Sequence, residues 1–186
     1  MTRPDPAARH SLWLLASERD ERALIQMVRD LAKRFGTPVF RPHLTLAGDL
    51  AAGAAQLTGE LDGIVRGLAQ PVQPVLAVEA GPDFFRSFYT RFEPTDTLRT
   101  LRTRAYEAGG VEEPSGFLPH VSLAYGAATA NDQEQARAEW STWLEGMDVR
   151  FDRVAVVLSA SGVPIEDWAV IATKTLAREV AGGEDE

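Results

Sequence analysis

The sequence has 186 residues, a formal net charge of −8 and no cysteine. This length suffices for one compact domain, and the acidic balance argues against binding a long nucleic acid through its phosphates. Disulfides, thiolate catalysis and zinc–sulfur sites are excluded. No apolar run approaches the roughly 20 residues that span a bilayer, and the first residues lack the apolar stretch of a signal peptide. We therefore expect a cytoplasmic monomer without a membrane partner.

The first half of the chain predicts two strand–helix pairs. An apolar strand at 12–16 precedes a helix that Ser17 or Asp20 caps and Gly36 ends. A second strand at 39–47 precedes a second helix. The apolar residues at helical spacing are Leu24, Met27, Val28 and Leu31 in the first helix, and Leu57, Leu61, Ile64, Val65 and Leu68 in the second.

The second half predicts strands at 75–80 and 84–92, a helix at 94–108 and a strand at 117–125. Asn131 and Glu134 resemble a capping box that opens a helix burying Ala136, Trp140, Trp143 and Leu144. Strands at 154–160 and 168–175 close the chain. This irregular order with several hairpins favours an α+β fold with antiparallel pairing. We predict a single domain over 1–186, with flexible tails at 1–9 and 178–186.

One motif occurs twice. Residues 41–48 are RPHLTLAG and residues 118–126 are LPHVSLAYG, each a strand followed by an amphipathic helix. Strand alternation puts His43 with Thr45, and His120 with Ser122, on one face of their strands. The repeat indicates two lobes of similar build that face each other across a cleft.

Two imidazoles with two hydroxyls suit phosphodiester chemistry. Opening a cyclic phosphodiester requires a base for the attacking water and an acid for the leaving alkoxide, and histidine serves either role near neutral pH. Thr45 and Ser122 would donate hydrogen bonds to the non-bridging oxygens. The sequence does not decide whether His43 or His120 is the base.

A metal site is the main chemical alternative. Hydroxyls are poor zinc ligands, and Asp49 is the nearest candidate carboxylate, so we expect no metal. His10, the third histidine, lacks the motif and is expected at the surface. A Ser-His-Asp triad stays open, although no nucleophile elbow marks a serine.

At these residues the sequence resembles the 2H phosphoesterase superfamily, which is defined by two H-x-T/S-x motifs, and is most similar to its plant and yeast cyclic phosphodiesterase branch. The resemblance extends over nearly the whole chain, through Ser11-Leu12-Trp13, Pro42-His43-Leu44-Thr45, Phe84-Phe85, the stretch 117–125 and Trp168-Ala169-Val170. It implies a bilobal fold of two antiparallel sheets with outer helices around a central cleft.

The resemblance also implies a function. It implies metal-independent, cofactor-free hydrolysis of a 2′,3′-cyclic nucleotide or ADP-ribose 1″,2″-cyclic phosphate to the 2′- or 1″-phosphate, as part of RNA metabolism. By this resemblance His43 and His120 are the acid–base pair and Thr45 and Ser122 hold the phosphate. The further substrate contacts would be Tyr125, Trp13, Phe85 and, at the rim, Arg41.

Three other functions stay open. An RNA 2′–5′ ligase-like or RNA-end phosphodiesterase would need a basic track, which the acidic charge disfavours. The motif alone does not exclude a cyclic-oligonucleotide hydrolase. A non-catalytic nucleotide-binding protein would have no need of an acid–base pair.

Overall fold

A computed structural model describes residues 10–126, 129–160 and 162–178. Within these ranges the strands are β1 (His10–Ala16), β2 (Leu44–Leu50), β3 (Val72–Pro74), β4 (Ala77–Ala80), β5 (Phe88–Arg91), β6 (His120–Ala124), β7 (Asp148–Leu158) and β8 (Ala169–Thr175). The helices are α1 (Glu18–Phe35), α2 (Ala54–Val65), α3 (Asp96–Gly109) and α4 (Ala130–Leu144), with 3₁₀ turns at Phe84–Arg86 and Ile165–Asp167. The α+β class with antiparallel pairing is confirmed.

The strands form one curled sheet, so the expectation of two sheets is wrong. Their order is β3-β7-β1-β2-β6-β5-β4, and β8 also pairs with β7. One half of the sheet contains β1, β2, β3, β7 and β8, and the other contains β4, β5 and β6. The two halves join where Leu44 of β2 pairs with Val121 of β6. Both residues are fully buried, and buried backbone groups need partners, which these two strands supply to each other. The two motif strands are therefore neighbours.

The two faces of the sheet have different roles. Leu12 and Leu14 of β1, Leu44 of β2 and Val121 of β6 belong to the core cluster, which also contains buried apolar residues from each of the four described helices. Trp13 and the other alternate residues of β1 point to the opposite face. That face carries His43, Thr45, His120 and Ser122, because they alternate with the core residues.

The capping residues predicted from the sequence are confirmed at α1 but not at α4. The Ser17 hydroxyl caps α1 by accepting the Asp20 N–H, and Gly36 ends it in the left-handed conformation. The predicted capping box at Asn131 is wrong: the cap is Thr129, which accepts the Asp132 N–H. Ala136 and Leu144 are buried as predicted, but Trp143, also predicted to be buried, is 79% exposed.

Both motif strands begin later than predicted, at Leu44 and His120. Pro42 and Pro119 thus lie just before their strands, since proline has no N–H to give to a sheet. The predicted strand at 84–92 contains a 3₁₀ turn and only then β5. Residues 1–9 and 179–186, predicted as flexible, lie outside the described ranges. No helix within those ranges is both long and apolar enough to cross a membrane.

Candidate active site

A cavity of about 180 Å³ opens on the sheet face away from the helices. The predicted site residues that line it are His43, Thr45, His120, Ser122, Trp13, Phe85 and Tyr125. Residues from both halves of the sheet therefore meet in one place. Arg41 is not brought to this cavity.

Extending the Leu44–Val121 pair by one residue on each side puts the four motif residues at the corners of a square. Since Leu44 and Val121 are antiparallel partners, the register brings His43 opposite Ser122 and Thr45 opposite His120. The two histidines occupy a diagonal, with Cα atoms roughly 7–8 Å apart by sheet geometry. Each histidine thus has one hydroxyl from its own strand and one from the partner strand. A phosphate held in the square would contact both imidazoles.

The two imidazoles are oriented by the same device. His43 Nδ1 lies 2.7 Å from the Arg41 carbonyl oxygen, and His120 Nδ1 lies 2.8 Å from that of Leu118. A carbonyl oxygen only accepts, so each Nδ1 carries the proton and donates it. Nε2 is left as the nitrogen that can exchange a proton with a ligand.

His43 is packed beneath an indole. Its ring is stacked on that of Trp13, with centroids 3.4 Å apart and planes 5° from parallel. Burial lowers the pKa of His43 to about 3, and the His120 and Arg41 charges act in the same direction, while the hydrogen bond to the Arg41 carbonyl opposes them. His43 is therefore neutral at physiological pH. Trp13 is only 3% exposed. It therefore packs against His43 instead of presenting its ring as an exposed wall of the cavity.

His120 has more polar surroundings. The Tyr89 ring meets it edge-on at 5.4 Å, and the Tyr89 hydroxyl donates to Glu79 at 2.7 Å. Burial lowers the pKa of His120, the hydrogen bond to Leu118 raises it, and the nearby Arg86 charge lowers it further. Arg86 lies beside the same Tyr89 ring and pairs with Asp83.

The two hydroxyls are not equivalent. The Ser122 hydroxyl donates to the Phe85 carbonyl oxygen at 2.8 Å, so in this arrangement its proton is not directed at a ligand. Thr45 is half-buried at the cavity. Thr45 is therefore the better placed donor, and Ser122 would have to rotate to donate.

An aromatic cluster closes one side of the cavity. Tyr125 is stacked on Phe40 at 3.6 Å, and its ring meets those of Phe85 and Trp168 edge-on. Burial raises the pKa of Tyr125, which keeps the phenol protonated. Trp168 also lines the cavity. The resemblance included Trp168, but sequence reasoning did not name it as a site residue.

The turn that carries Phe85 is tied to β6. Besides the Ser122 contact, the Gly126 N–H donates to the Phe84 carbonyl at 2.8 Å, and the Ser87 hydroxyl donates to the Ala124 carbonyl at 2.7 Å. Gly126 has φ +60, and a Cβ there would lie 2.6 Å from the Phe84 ring. Glycine at this position therefore permits the close packing that holds Phe85 at the cavity.

Arg41 faces α1 instead of the cavity. Its Nε and Nη2 donate to the Glu21 carboxylate, which also accepts from Arg153. Glu21 and Arg153 are each 16% exposed at the side chain, so this ion cluster is largely withdrawn from water. Since the Arg41 carbonyl accepts from His43, the cluster fixes the backbone that orients His43.

Sequence reasoning missed one end of the cavity, which is lined by Ser11, Gly48, Asp49 and Ser159. The sequence pattern offers Asp49 only as a candidate metal ligand. The described ranges contain no group of three or more His, Cys, Asp or Glu side chains arranged to hold a metal ion. His10 is half-buried, with Nδ1 3.1 Å from the Ala52 carbonyl oxygen, and it does not line the cavity.

Comparison with known proteins gives two kinds of match. The family described as "2′-5′ RNA ligase superfamily" matches residues 40–162. A curated relative from Arabidopsis thaliana, named "Cyclic phosphodiesterase", is 23% identical over 171 residues, which cover 90% of this chain and 94% of the relative.

Solved structures share the fold. A Thermus thermophilus protein, TT0787, matches with a TM-score of 0.61 at 18% identity, over 92% of this chain and 100% of that one. Escherichia coli LigT complexed with 3′-AMP matches with a TM-score of 0.53 at 15% identity, over 91% and 98%. LigT complexed with NADP+ gives 0.56 at 14% identity, over 92% and 99%.

Proposed function

The chain belongs to the 2′-5′ RNA ligase (2H phosphoesterase) superfamily, and from that premise we propose that its cavity hydrolyses a small cyclic phosphodiester by acid–base catalysis between His43 and His120. The substrate class is a 2′,3′-cyclic nucleotide or ADP-ribose 1″,2″-cyclic phosphate, and the product is the 2′- or 1″-phosphate. The observation that carries the proposal is the diagonal pair of histidines, each with Nδ1 bound to a backbone carbonyl.

The pKa order supports the assignment of roles. His43 is the more strongly neutral imidazole because of its burial under Trp13. We assign it as the base that takes a proton from water through Nε2. His120, in contact with the more polar Tyr89 and Glu79 side of the cavity, is the acid that protonates the leaving alkoxide. General acid–base catalysis contributes roughly 10²–10⁴-fold per group.

Thr45 is the first candidate to stabilise a non-bridging oxygen of the phosphate. Its hydroxyl would donate to a non-bridging oxygen, where negative charge accumulates in the transition state, and loss of one such donor costs roughly 10²–10³-fold in rate. The Tyr125 phenol, kept protonated by burial, is a second candidate donor. Ser122 would join after releasing the Phe85 carbonyl. Phe85, 42% exposed, and Trp168 offer ring surface to the nucleoside.

The relatives support a nucleotide-sized substrate. The curated relative carries the name cyclic phosphodiesterase, and LigT has been crystallised with 3′-AMP and with NADP+. The proposed reaction uses only imidazoles and hydroxyls. Activity is therefore expected to persist in EDTA.

Direct assay tests this function. Purified protein is incubated with 2′,3′-cyclic mononucleotides and ADP-ribose 1″,2″-cyclic phosphate, with and without EDTA, and the products are identified by ³¹P NMR. We expect EDTA-resistant turnover to the 2′- or 1″-phosphate. A 3′-phosphate product, or loss of activity in EDTA, would contradict the proposed chemistry.

The family match favours a second candidate, a phosphodiesterase acting on 2′–5′ linked RNA ends. The same assay includes a 2′–5′ linked dinucleotide and a cyclic oligonucleotide. Faster turnover of the 2′–5′ linked dinucleotide than of every cyclic mononucleotide would favour that candidate, and faster turnover of the cyclic oligonucleotide would favour a cyclic-oligonucleotide hydrolase.

A further inference from the structure

The cavity has a polar end that the proposed acid–base chemistry does not use. Ser11 lies two residues before Trp13 on β1, on the same strand face and about 7 Å along the strand. Trp13 pairs with Thr45. The polar end at Ser11 therefore lies next to the Thr45 hydroxyl that is proposed to bind the phosphate. Asp49 and Ser159 line it with Ser11.

A β-bulge places Asp49 at this end. The β1–β2 register runs from His10 opposite Leu50 to Leu12 opposite Ala47, so β2 contains one extra residue here. Asp49 has φ 52, the only positive φ at a non-glycine residue in the described part of the chain. Bulges redirect side chains and recur beside active sites, and aspartate tolerates this conformation better than most residues.

The two serines add hydrogen-bonding capacity. The Ser11 hydroxyl donates to the Ser159 carbonyl at 3.1 Å, which leaves its lone pairs to accept. Ser159 is only 3% exposed, and its Oγ has no partner within residues 10–126, 129–160 and 162–178. A buried hydroxyl without a partner is unfavourable, and rotation of this side chain toward the cavity would let a polar ligand group supply one.

We propose that Ser11 and Asp49 form a subsite that accepts a hydrogen bond from an N–H or O–H donor on the nucleoside part of the substrate. This subsite rests on the proposed function for the placement of the phosphate between the histidines. A carboxylate accepts hydrogen bonds and repels phosphate, so this end disfavours a second phosphate. Adenosine 2′,3′-cyclic phosphate carries two kinds of such donor, the exocyclic amino group of the base and the 5′-hydroxyl of the ribose.

Calorimetric binding of reaction products tests the subsite independently of turnover. The ligands are adenosine 2′-phosphate, purine riboside 2′-phosphate, which lacks the amino group, and 5′-deoxyadenosine 2′-phosphate, which lacks the hydroxyl. The proteins are wild type, Asp49→Gly, which tolerates the positive φ, and Asp49→Asn, which keeps the side-chain shape. Asp148→Asn changes an exposed aspartate on β7 outside the cavity and is the matched control.

We expect wild type to bind one analogue roughly tenfold more weakly than adenosine 2′-phosphate, the weight of one charged hydrogen bond. Asp49→Gly should lose that preference, Asp49→Asn should weaken it because its amide oxygen still accepts but carries no charge, and Asp148→Asn should keep it. A preference against purine riboside identifies the base amino group, and one against the 5′-deoxy ligand identifies the ribose hydroxyl.

Unchanged affinity ratios in both Asp49 variants would overturn the subsite, as would failure of wild type to bind any of the three ligands. Because the ligands are products, a protein that binds them with this preference but fails to hydrolyse cyclic phosphates would refute the proposed function alone.

Discussion

The rings of Trp13 and His43 are stacked in parallel, with centroids 3.4 Å apart and planes 5° from parallel. The Trp13 ring therefore helps to fix the orientation of the His43 ring and also excludes water from it. Burial is the largest cause of the lowered pKa of His43. Trp13 is accordingly a positioning residue that keeps the proposed base neutral.

Replacing Trp13 with leucine should raise the pKa of His43 from about 3 toward its ordinary value, because the ring becomes hydrated. It should also lower kcat/KM roughly 10- to 100-fold through misplacement of Nε2. NMR titration of the histidine rings measures the first effect. Trp143→Leu, at a tryptophan that is 79% exposed, is the control and should change neither quantity. An unchanged titration in Trp13→Leu would refute this role.

The pH profile of kcat/KM should be bell-shaped with its optimum on the acidic side of pH 6.5. One histidine must be neutral and the other protonated in the free enzyme. Burial lowers the pKa values of both His43 and His120 below 6.5, so both limbs move to lower pH. A bound phosphate anion favours the protonated imidazoles, so the kcat profile should lie at higher pH. An optimum of kcat/KM above about pH 7 would contradict these shifts.

Arg86→Ala should move the alkaline limb of that profile to higher pH. The Arg86 charge lowers the pKa of His120, so its removal lets His120 hold its proton longer as pH rises. The shift should shrink between about 0.1 M and 1 M salt, where the Debye length falls from about 10 Å to 3 Å. Arg137→Ala removes an arginine of matching exposure and i,i+3 pairing, 41% against 40%, and should leave the limb in place. Equal shifts in both variants would indicate a general charge effect.

Much of the fold was predictable because its signals are local. Helical spacing of apolar residues located α1, α2 and α3, and Gly36 marked the end of α1. The pairing of β2 with β6 was not predictable, since the sequence carries no signal for which buried strands become neighbours. The prediction that Trp143 is buried failed for a related reason. Helical spacing does not tell which face of a weakly amphipathic helix packs against the core.

The candidate site was predictable at the residues of the repeated sequence motif. The two Pro-His-x-Thr/Ser motifs led to His43, Thr45, His120 and Ser122, and the resemblance to the 2H phosphoesterase superfamily is confirmed by the family match. Arg41 shares a strand face with His43 in the sequence pattern, but Glu21 on α1 holds its side chain elsewhere. Asp49 has the same strand parity as His43 and Thr45, but no motif marks it as a substrate contact. The outcome for Arg41 depends on a contact between distant residues.

Glu21→Gln should lower the free energy of unfolding by about 2 kcal/mol, because it leaves Arg41 and the largely buried Arg153 without their shared carboxylate. It should also reduce kcat through the Arg41 carbonyl that orients His43. Urea denaturation at constant m-value measures the stability. Glu18→Gln, at an exposed carboxylate of the same helix, should stay within about 0.5 kcal/mol of wild type. Equal losses in the two variants would show that the cluster has no special role.

We propose that His43 and His120 act as one acid–base pair, and single-turnover kinetics of alanine variants on a 2′,3′-cyclic mononucleotide is the sharpest test of that claim. His43→Ala and His120→Ala should each lose roughly 10²–10⁴-fold in rate. The double variant should lose little more, since residues that act as a unit are not additive. His10→Ala removes a histidine whose Nδ1 also contacts a backbone carbonyl but which lies outside the cavity, and it should keep the wild-type rate. A rate within about twofold of wild type in either His43→Ala or His120→Ala would contradict the claim.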